Sequence, residues 1–177
     1  MRRTTGTGST PIPSAWRRKV SGAVALDYTI QRLRPGDDQR YAAMLELFGR
    51  VFGEIDTYTA DPPGPAYRER LLANGSFVAL VALARGTGDG VVGALAAYEL
   101  PKFERERSEF YIYDLAVDVS HRRRGVATAL IERTRSIAAE CGAWVVMVQA
   151  DAGDGPAIAL YRKLGAEERV LHYDIRP

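Results

Sequence analysis

This sequence predicts an α/β fold built on a mixed sheet, and three features predict it. An apolar run at 108–119 passes through a basic, glycine-bearing turn into a long amphipathic stretch at 125–141, and a second apolar run follows at 143–150. Two strands bracketing a helix make a parallel pair joined by a crossover. Apolar runs at 77–84 and 91–100 flank the glycine-rich segment 86–90, the pattern of an antiparallel hairpin. Over the whole chain the elements read β-α-α-β-β-β-α-β-α-β, so helices are available to cover the faces of one sheet.

Each element has its own signal. Alternation over 28–33 gives the first strand, ended by Arg34, Pro35 and Gly36. Asp37 or Asp38 is placed to cap a helix in which Tyr41, Met44, Leu45, Leu47, Phe48, Val51 and Phe52 recur at helical spacing, and Gly53 closes it. Residues 54–66, rich in Pro and Gly, are expected as loop, with a short helix at 67–73. Asn74-Gly75 turns the chain into the strand at 77–84. The return strand covers 91–100, and 101–107 is a charged loop. Strand 108–119 precedes the helix at 125–141, whose Val126, Leu130, Ile137 and Cys141 form one stripe. A buried strand is expected at 143–150 and a loop at 151–155. A helix at 156–164 has Pro156 in its first turn and Gly165 just past its end. A final strand is expected at 168–175.

The 177 residues make one domain with room for a core, and 46% hydrophobic with 26% charged is the balance of a soluble globular protein. No apolar run approaches the roughly 20 residues that span a bilayer. The single cysteine, Cys141, leaves no intramolecular disulfide and no cysteine-rich metal site. It fits a reducing cytoplasm and reads as a small apolar residue buried near a helix end. The net charge of +2 hides an asymmetry. Residues 1–26 hold Arg2, Arg3, Arg17, Arg18 and Lys19 and no acid, which leaves 19 basic against 22 acidic residues, about −3, over 27–177. A mildly acidic folded part points away from nucleic acid and tolerates a cationic substrate. Residues 1–26, rich in Ser, Thr, Gly and Pro, read as a disordered basic tail ahead of one domain at 27–177. Arg17-Arg18 and the apolar residues after them imitate a signal sequence. That run is short, broken by Ser21 and Gly22, and ends at Asp27.

The chemistry starts at Arg122, Arg123, Arg124, Gly125, Val126 and Ala127, a strand-to-helix turn of pattern Arg/Gln-x-x-Gly-x-Gly/Ala. Such a turn leaves the first helical N–H groups unpaired and aimed at one point, where they join the positive end of the helix dipole in an anion site. Gly88, Gly90 and Gly93 match the spacing Gly-x-Gly-x-x-Gly of dinucleotide sites, but a strand follows instead of the required helix, so they read as hairpin residues. No Gly-x-x-x-x-Gly-Lys-Ser/Thr loop exists. One strand after the turn comes a second element, with Asp154, Ala157, Leu160, Tyr161, Leu164 and Gly165 at helical spacing.

Together the two elements resemble the GCN5-related N-acetyltransferase superfamily. The resemblance implies that fold, with its central parallel strands splayed. It also implies that acetyl-CoA is the cofactor, its pyrophosphate cradled by the arginine turn and its thioester flanked by the later helix. A narrower resemblance rests on Phe48-Gly-Arg-Val-Phe-Gly53, Val92-Gly-Ala-Leu-Ala-Ala-Tyr98, Leu100-Pro-Lys-Phe-Glu104, Tyr111-Ile-Tyr-Asp-Leu-Ala-Val117, His121-Arg-Arg, Val148-Gln-Ala-Asp151 and Ala159-Leu-Tyr161. These segments are similar to type I aminoglycoside 3-N-acetyltransferases over most of 27–177. The implied activity is acetyl transfer to the 3-amino group of the 2-deoxystreptamine ring of gentamicin-class antibiotics, by direct attack in a ternary complex, with antibiotic resistance as the outcome. Another amine acceptor (a polyamine, another amino sugar or a protein N-terminus) remains the alternative. A coenzyme-binding module without turnover is a third reading, which Asp114 and the Tyr161 motif argue against. A homodimer is left open.

The resemblance assigns roles to particular residues. Arg122, Arg123, Arg124 and the backbone of Gly125, Val126, Ala127 and Thr128 would hold the pyrophosphate. Leu115, Ala116 and Val117 would pair with the pantetheine arm, an N–H near Leu115 polarising the thioester carbonyl. The Tyr161 hydroxyl would reach the sulfur. Asp154 stands where the superfamily usually carries Asn and can cap the following helix as an Asn would, with Ala157 beside it. Read from the residues alone, Asp114 is a lone carboxylate in an apolar strand, between Tyr113 and Leu115. Burying it ionised is costly unless something answers the charge. A substrate ammonium, a general-base role, or a nearby Arg or strand-end amide would each do so. Tyr113, Asp151, Asp174 and Glu99 are the other acceptor-side candidates, with Asp56, Glu104 and Glu106 as further acids. Asp151 and Asp154 follow a parallel strand at its carboxyl end, where ligands of open α/β sheets bind. Asp174 is favoured among the acids because the terminal strand lines the acceptor cleft in the resembled family. His121 and His172 are far apart, read as structural, and imply no metal.

Overall fold

A computed structural model describes residues 27–85 and 90–177. The tail at 1–26 and most of the hairpin turn at 86–90 lie outside the described residues. The elements are β1 (Tyr28–Arg32), α1 (Asp38–Phe52), α2 (Ile55–Thr59), α3 (Pro65–Ala73), β2 (Phe77–Ala84), β3 (Val91–Pro101) and β4 (Ser108–Val117). A 3-10 turn (Val119–His121), α4 (Val126–Glu140), β5 (Val146–Val148) and α5 (Gly155–Leu164) complete the order. The sheet runs β1-β2-β3-β4-β5; the first three pairings are antiparallel and β4–β5 is parallel. No helix among the described residues is long and apolar enough to cross a membrane.

Two cores sandwich the sheet, which explains why β2 reads Phe-Val-Ala-Leu-Val-Ala-Leu-Ala rather than alternating with polar residues. On one face Val78, Leu80, Leu95, Phe110 and Ile112 pack with Val126, Leu130 and Ile137 of α4, and Leu160, Tyr161 and Leu164 of α5 join them. On the other, Met44, Leu47 and Phe48 of α1 and Leu72 of α3 meet Ala79, Val81, Ala94, Ala96 and Ala116. The small side chains on that face let α1 lie close to β3 and β4.

Most expected boundaries hold within a residue or two. Gly53 takes φ 73° and closes α1 in the left-handed conformation that favours glycine. Asp37 sits at the start of α1, but its carboxylate accepts from Arg34 N (2.8 Å), Arg40 and Gln31 rather than from the helix amides. The expected loop at 54–66 contains α2, and α3 begins at Pro65, two residues before its expected start. Cys141 is exposed, not buried. The helix has already ended there, and Thr134 takes a buried place in the stripe, with its hydroxyl donating to Leu130 O at 3.0 Å.

Two strands differ from expectation. The run 143–150 forms only the three-residue β5, partly exposed instead of buried, because β5 is an edge with one neighbour. The segment 168–175 forms no strand. Its alternation is strand-like, but a strand exists only where a ladder partner satisfies its backbone. Its contacts are local instead: Glu167 pairs with Arg162 (2.6 Å) and Arg169, and His172 with Asp174 (3.0 Å). Leu171 and Ile175 stand 80% and 90% exposed.

Gly93 explains part of the misleading glycine spacing. A Cβ there would lie 2.5 Å from Val126 Cγ1 and 3.3 Å from Leu130 Cδ1, so its hydrogen lets the start of α4 press onto β3. Gly93→Ala should cost about 1–3 kcal/mol in urea denaturation, because core overpacking must be relieved by shifting α4. Unchanged stability would show that α4 is not seated by this contact.

Candidate active site

The basic turn is built by what surrounds it. β4 ends at Val117 and Asp118 starts the 3-10 turn, its Oδ1 accepting from Ser120 N (3.0 Å) and Ser120 Oγ (2.6 Å). Those bonds, with Arg50 at 3.4 Å, hold the Asp118 carboxyl below the usual range. Arg122 Nε donates to Val117 O at 3.3 Å, which folds its side chain back along the strand end. Arg123 takes φ 62° and Gly125 φ 81°, two left-handed residues within three positions. Such a turn costs backbone strain and directs successive N–H groups to one side.

α4 starts immediately after Gly125, and no side chain caps it. No acid lies in its first turn, so the amides of Val126, Ala127 and Thr128 are left for an anion. Beside the turn the Tyr28 hydroxyl is buried with no hydrogen-bond partner among the described residues, 3.5 Å from where a Gly125 Cβ would stand. Uncapped amides, a glycine cradle and an orphaned buried hydroxyl fit a pyrophosphate.

Next to it, β4 has an open side. Leu115, Ala116 and Val117 pair with Leu95, Ala94 and Gly93 of β3, while β5 reaches only as far as Ile112, opposite Val148. Tyr111 Oη then donates to Gln149 Oε1 (2.9 Å), and the two strands part. Their backbone edges beyond that point have no strand partner between them, which fits an extended amide-bearing arm.

Asp114 owes its position to a bulge. Ala96 pairs with Asp114 and Ala97 with Ile112, so Tyr113 is an extra residue in β4. Tyr113 is 67% exposed, and its ring meets the edges of Tyr98 and Tyr111, both with centroids 6.1 Å away. Asp114 is part-buried, and its Oδ2 accepts from Tyr58 Oη at 3.2 Å. Burial raises the Asp114 pKa, the Tyr58 hydrogen bond lowers it, and the charge of Glu54 raises it; the shift as a whole is upward. Of the options open at the sequence level, pairing with an Arg is not what is found: a phenol answers the carboxylate.

α5 carries the remaining chemistry. Asp154 Oδ1 accepts from Ala157 N at 3.0 Å, so the acid caps this helix as an Asn would. Tyr161, half-buried against the core, has its hydroxyl pushed up to about 12 by burial and by the nearby Asp154 charge. It stays protonated at neutral pH and has a proton to give.

The other candidates scatter. Asp151 lies in the exposed loop before α5, its carbonyl accepting from Asp154 N. Glu99 accepts from Ser108 Oγ at 2.7 Å and lines a groove with Lys102, Arg105, Arg107 and Cys141, at the end of β3 and β4 away from Leu115. Glu104 pairs with Lys102 and Arg107, and Glu106 is exposed. Asp56 is exposed in the first turn of α2. Asp174 lies on the segment after α5 against His172, and His121 Nδ1 contacts Ser120 Oγ at 2.8 Å. Sequence reasoning missed Tyr58 because α2 is too short to show a period and Ile55, Thr57, Tyr58 and Thr59 are poor helix formers. It also missed Tyr98, whose ring bridges Phe77 and Tyr113.

Residues 41–166 match the model of a family described as Acetyltransferase (GNAT) family. Among solved structures, the chain is similar to the aminoglycoside acetyltransferase HMB0005 from an uncultured soil metagenomic sample. Identity is 51% over 85% of this chain and 98% of that one, with a TM-score of 0.81. It is similar to the aminoglycoside acetyltransferase meta-AAC0020, also from an uncultured soil metagenomic sample and solved in complex with sisomicin. There identity is 32% over 85% and 97% of the two chains, with a TM-score of 0.76. It shares the fold of the ribosomal-protein-alanine N-acetyltransferase from Brucella melitensis biovar Abortus 2308, at 24% identity over 84% and 98%, TM-score 0.64. No curated protein matches the chain. With the family model spanning well over half of the sequence, on a sheet whose β4 opens beside an uncapped helix, the chain is an N-acetyltransferase of the Acetyltransferase (GNAT) family.

Proposed function

We propose that this enzyme is an acetyl-CoA-dependent aminoglycoside 3-N-acetyltransferase acting on gentamicin-class antibiotics in the cytoplasm, and that it confers resistance to them. The observation that carries the reading is the Asp114 carboxylate, part-buried on the α1 and α2 side of the sheet and flanked by the Tyr98, Tyr111 and Tyr113 rings. The similarity to two aminoglycoside acetyltransferases supports the acceptor class.

Bound acetyl-CoA supplies an acetyl thioester. The amides of Val126, Ala127 and Thr128, together with Arg122, Arg123 and Arg124, hold its pyrophosphate, and the open edge at Leu115, Ala116 and Val117 holds its arm. An aminoglycoside amine is mostly protonated at neutral pH, and only its neutral form attacks. Asp114 accepts that proton at its carboxylate, and its upward-shifted pKa makes it a better base than a solvated Asp. The rings of Tyr98 and Tyr113 offer faces to the remaining ammonium groups. Tyr161 Oη, kept protonated, is the proton donor on the leaving side.

Free thiol should be released from acetyl-CoA with gentamicin far faster than with spermidine or a peptide amine, and NMR of the product should place the acetyl on the 3-amino nitrogen. Acetylation of a different nitrogen would refute the regiochemistry, and preference for spermidine or peptide would refute the acceptor. Asp114→Asn should lower kcat/KM for the aminoglycoside by at least about 100-fold, and Tyr161→Phe should lower kcat by roughly 10-fold with acetyl-CoA affinity kept. Losses within about twofold would assign either residue to structure. Gly125→Val should weaken acetyl-CoA binding in calorimetry by more than about 10-fold while circular dichroism stays unchanged. A Cβ meets only Tyr28 Oη at 3.5 Å, so the damage comes from φ 81° and from filling the cradle.

A further inference from the structure

We propose that Tyr58, on α2, is a positioning residue for the acceptor-amine step, holding the Asp114 carboxylate through its hydroxyl. The inference rests on the reading of Asp114 as the acceptor-side base and adds the element that orients it.

Three observations place the Tyr58 hydroxyl on Asp114. The first is the bond itself, Tyr58 Oη to Asp114 Oδ2 at 3.2 Å, linking residues 56 positions apart. The second is that no residue of α2 is fully buried, and Tyr58 packs part-buried at the margin of the α1-side core with its hydroxyl end toward β4. The third is how closely α2 is held. A Cβ on Gly49 would lie 2.9 Å from Ile55 Cα, so the hydrogen of Gly49 lets the start of α2 lie against α1. The Tyr58 ring then leans on Phe48 and Phe52, with centroids 5.7 and 6.0 Å away. The ring is braced on two sides and the hydroxyl points at one carboxylate oxygen.

A carboxylate that must take a proton needs one oxygen free and a fixed orientation. A donor on Oδ2 fixes the group and leaves Oδ1 for the amine. The groups that face Asp114 are few: Tyr58 on α2, Glu54 just before it, Tyr98 on β3, and Tyr111 and Tyr113 on β4 itself. Arg50 of α1 pairs with Asp118. The Tyr58 bond lowers the Asp114 pKa, opposing burial and Glu54, so its loss lets the pKa rise.

The test is Tyr58→Phe, which keeps the ring and removes the hydroxyl. The acid limb of kcat/KM for gentamicin should move to higher pH, kcat/KM at neutral pH should fall about 10-fold, and KM for acetyl-CoA should stay within about twofold. Gly49→Ala, which pushes α2 away without touching Tyr58, should move the limb the same way. A carbon-detected NMR titration of the Asp114 carboxyl, read without substrates, should show its midpoint rise in Tyr58→Phe. A midpoint and a limb that both stay put would overturn the proposal. A midpoint that rises while kinetics are unchanged would overturn it through the base reading, because the link would be real and Asp114 idle. Asp114→Asn that keeps the acid limb would identify that same failure independently.

Discussion

Beyond Ile112, β4 has a strand neighbour on one side only among the described residues, and the candidate site is arranged around that fact. β3 holds the strand through Val117, with the bulge at Tyr113 as the one break in its register. β5 leaves it after three residues, so the other edge is open where the strand runs into the basic turn. An isolated open edge inside a domain is expensive, because backbone groups need partners. It persists because both faces of the sheet are closed by helices, with α4 and α5 on one side and α1 and α3 on the other. The domain thus keeps one linear set of unused hydrogen-bonding groups, flanked by an uncapped helix start and by the α5 tyrosine.

The cost of the site is distributed rather than concentrated. Arg123 and Gly125 hold left-handed backbone at the turn, Tyr28 keeps a buried hydroxyl unpaired beneath it, and Asp114 carries a carboxylate into partial burial. Each is unfavourable for folding taken alone. The two cores offset them with fully buried Phe48, Met44, Leu47, Leu80, Leu95, Phe110 and Leu130. Several small costs of this kind are the usual trade between stability and a preorganised site.

What the sequence made legible follows from which interactions are local. Turn chemistry was readable: Gly53, Asn74-Gly75 and the Arg122 to Ala127 turn act where their residues sit. Long periodic helices were readable for the same reason. The Asp154 cap was readable because an acid and an amide three residues apart need nothing distant. The larger failures depend on contacts outside the segment itself. Whether 168–175 forms a strand depends on a partner edge, not on its own alternation. Where α2 sits depends on its contacts with Gly49 and Phe48 of the preceding helix. That Tyr58 meets Asp114 is a tertiary fact with no trace in spacing, and Glu99 looked like a site acid only because the far end of the same strand is invisible in one dimension.

The bulge at Tyr113 has a consequence for how such an enzyme changes over generations. Because Ala96 and Ala97 pair with Asp114 and Ile112, residue 113 is surplus to the ladder. Ile112 still faces one core and Ala116 still faces the other. The side chain at 113 therefore belongs to neither, and its ring lies on the exposed wall beside Asp114. Replacing it would change the exposed surface beside Asp114 while leaving the contacts of both cores in place. A strand otherwise held by packing carries an exposed position that substitution can alter, next to the proposed acceptor-side carboxylate.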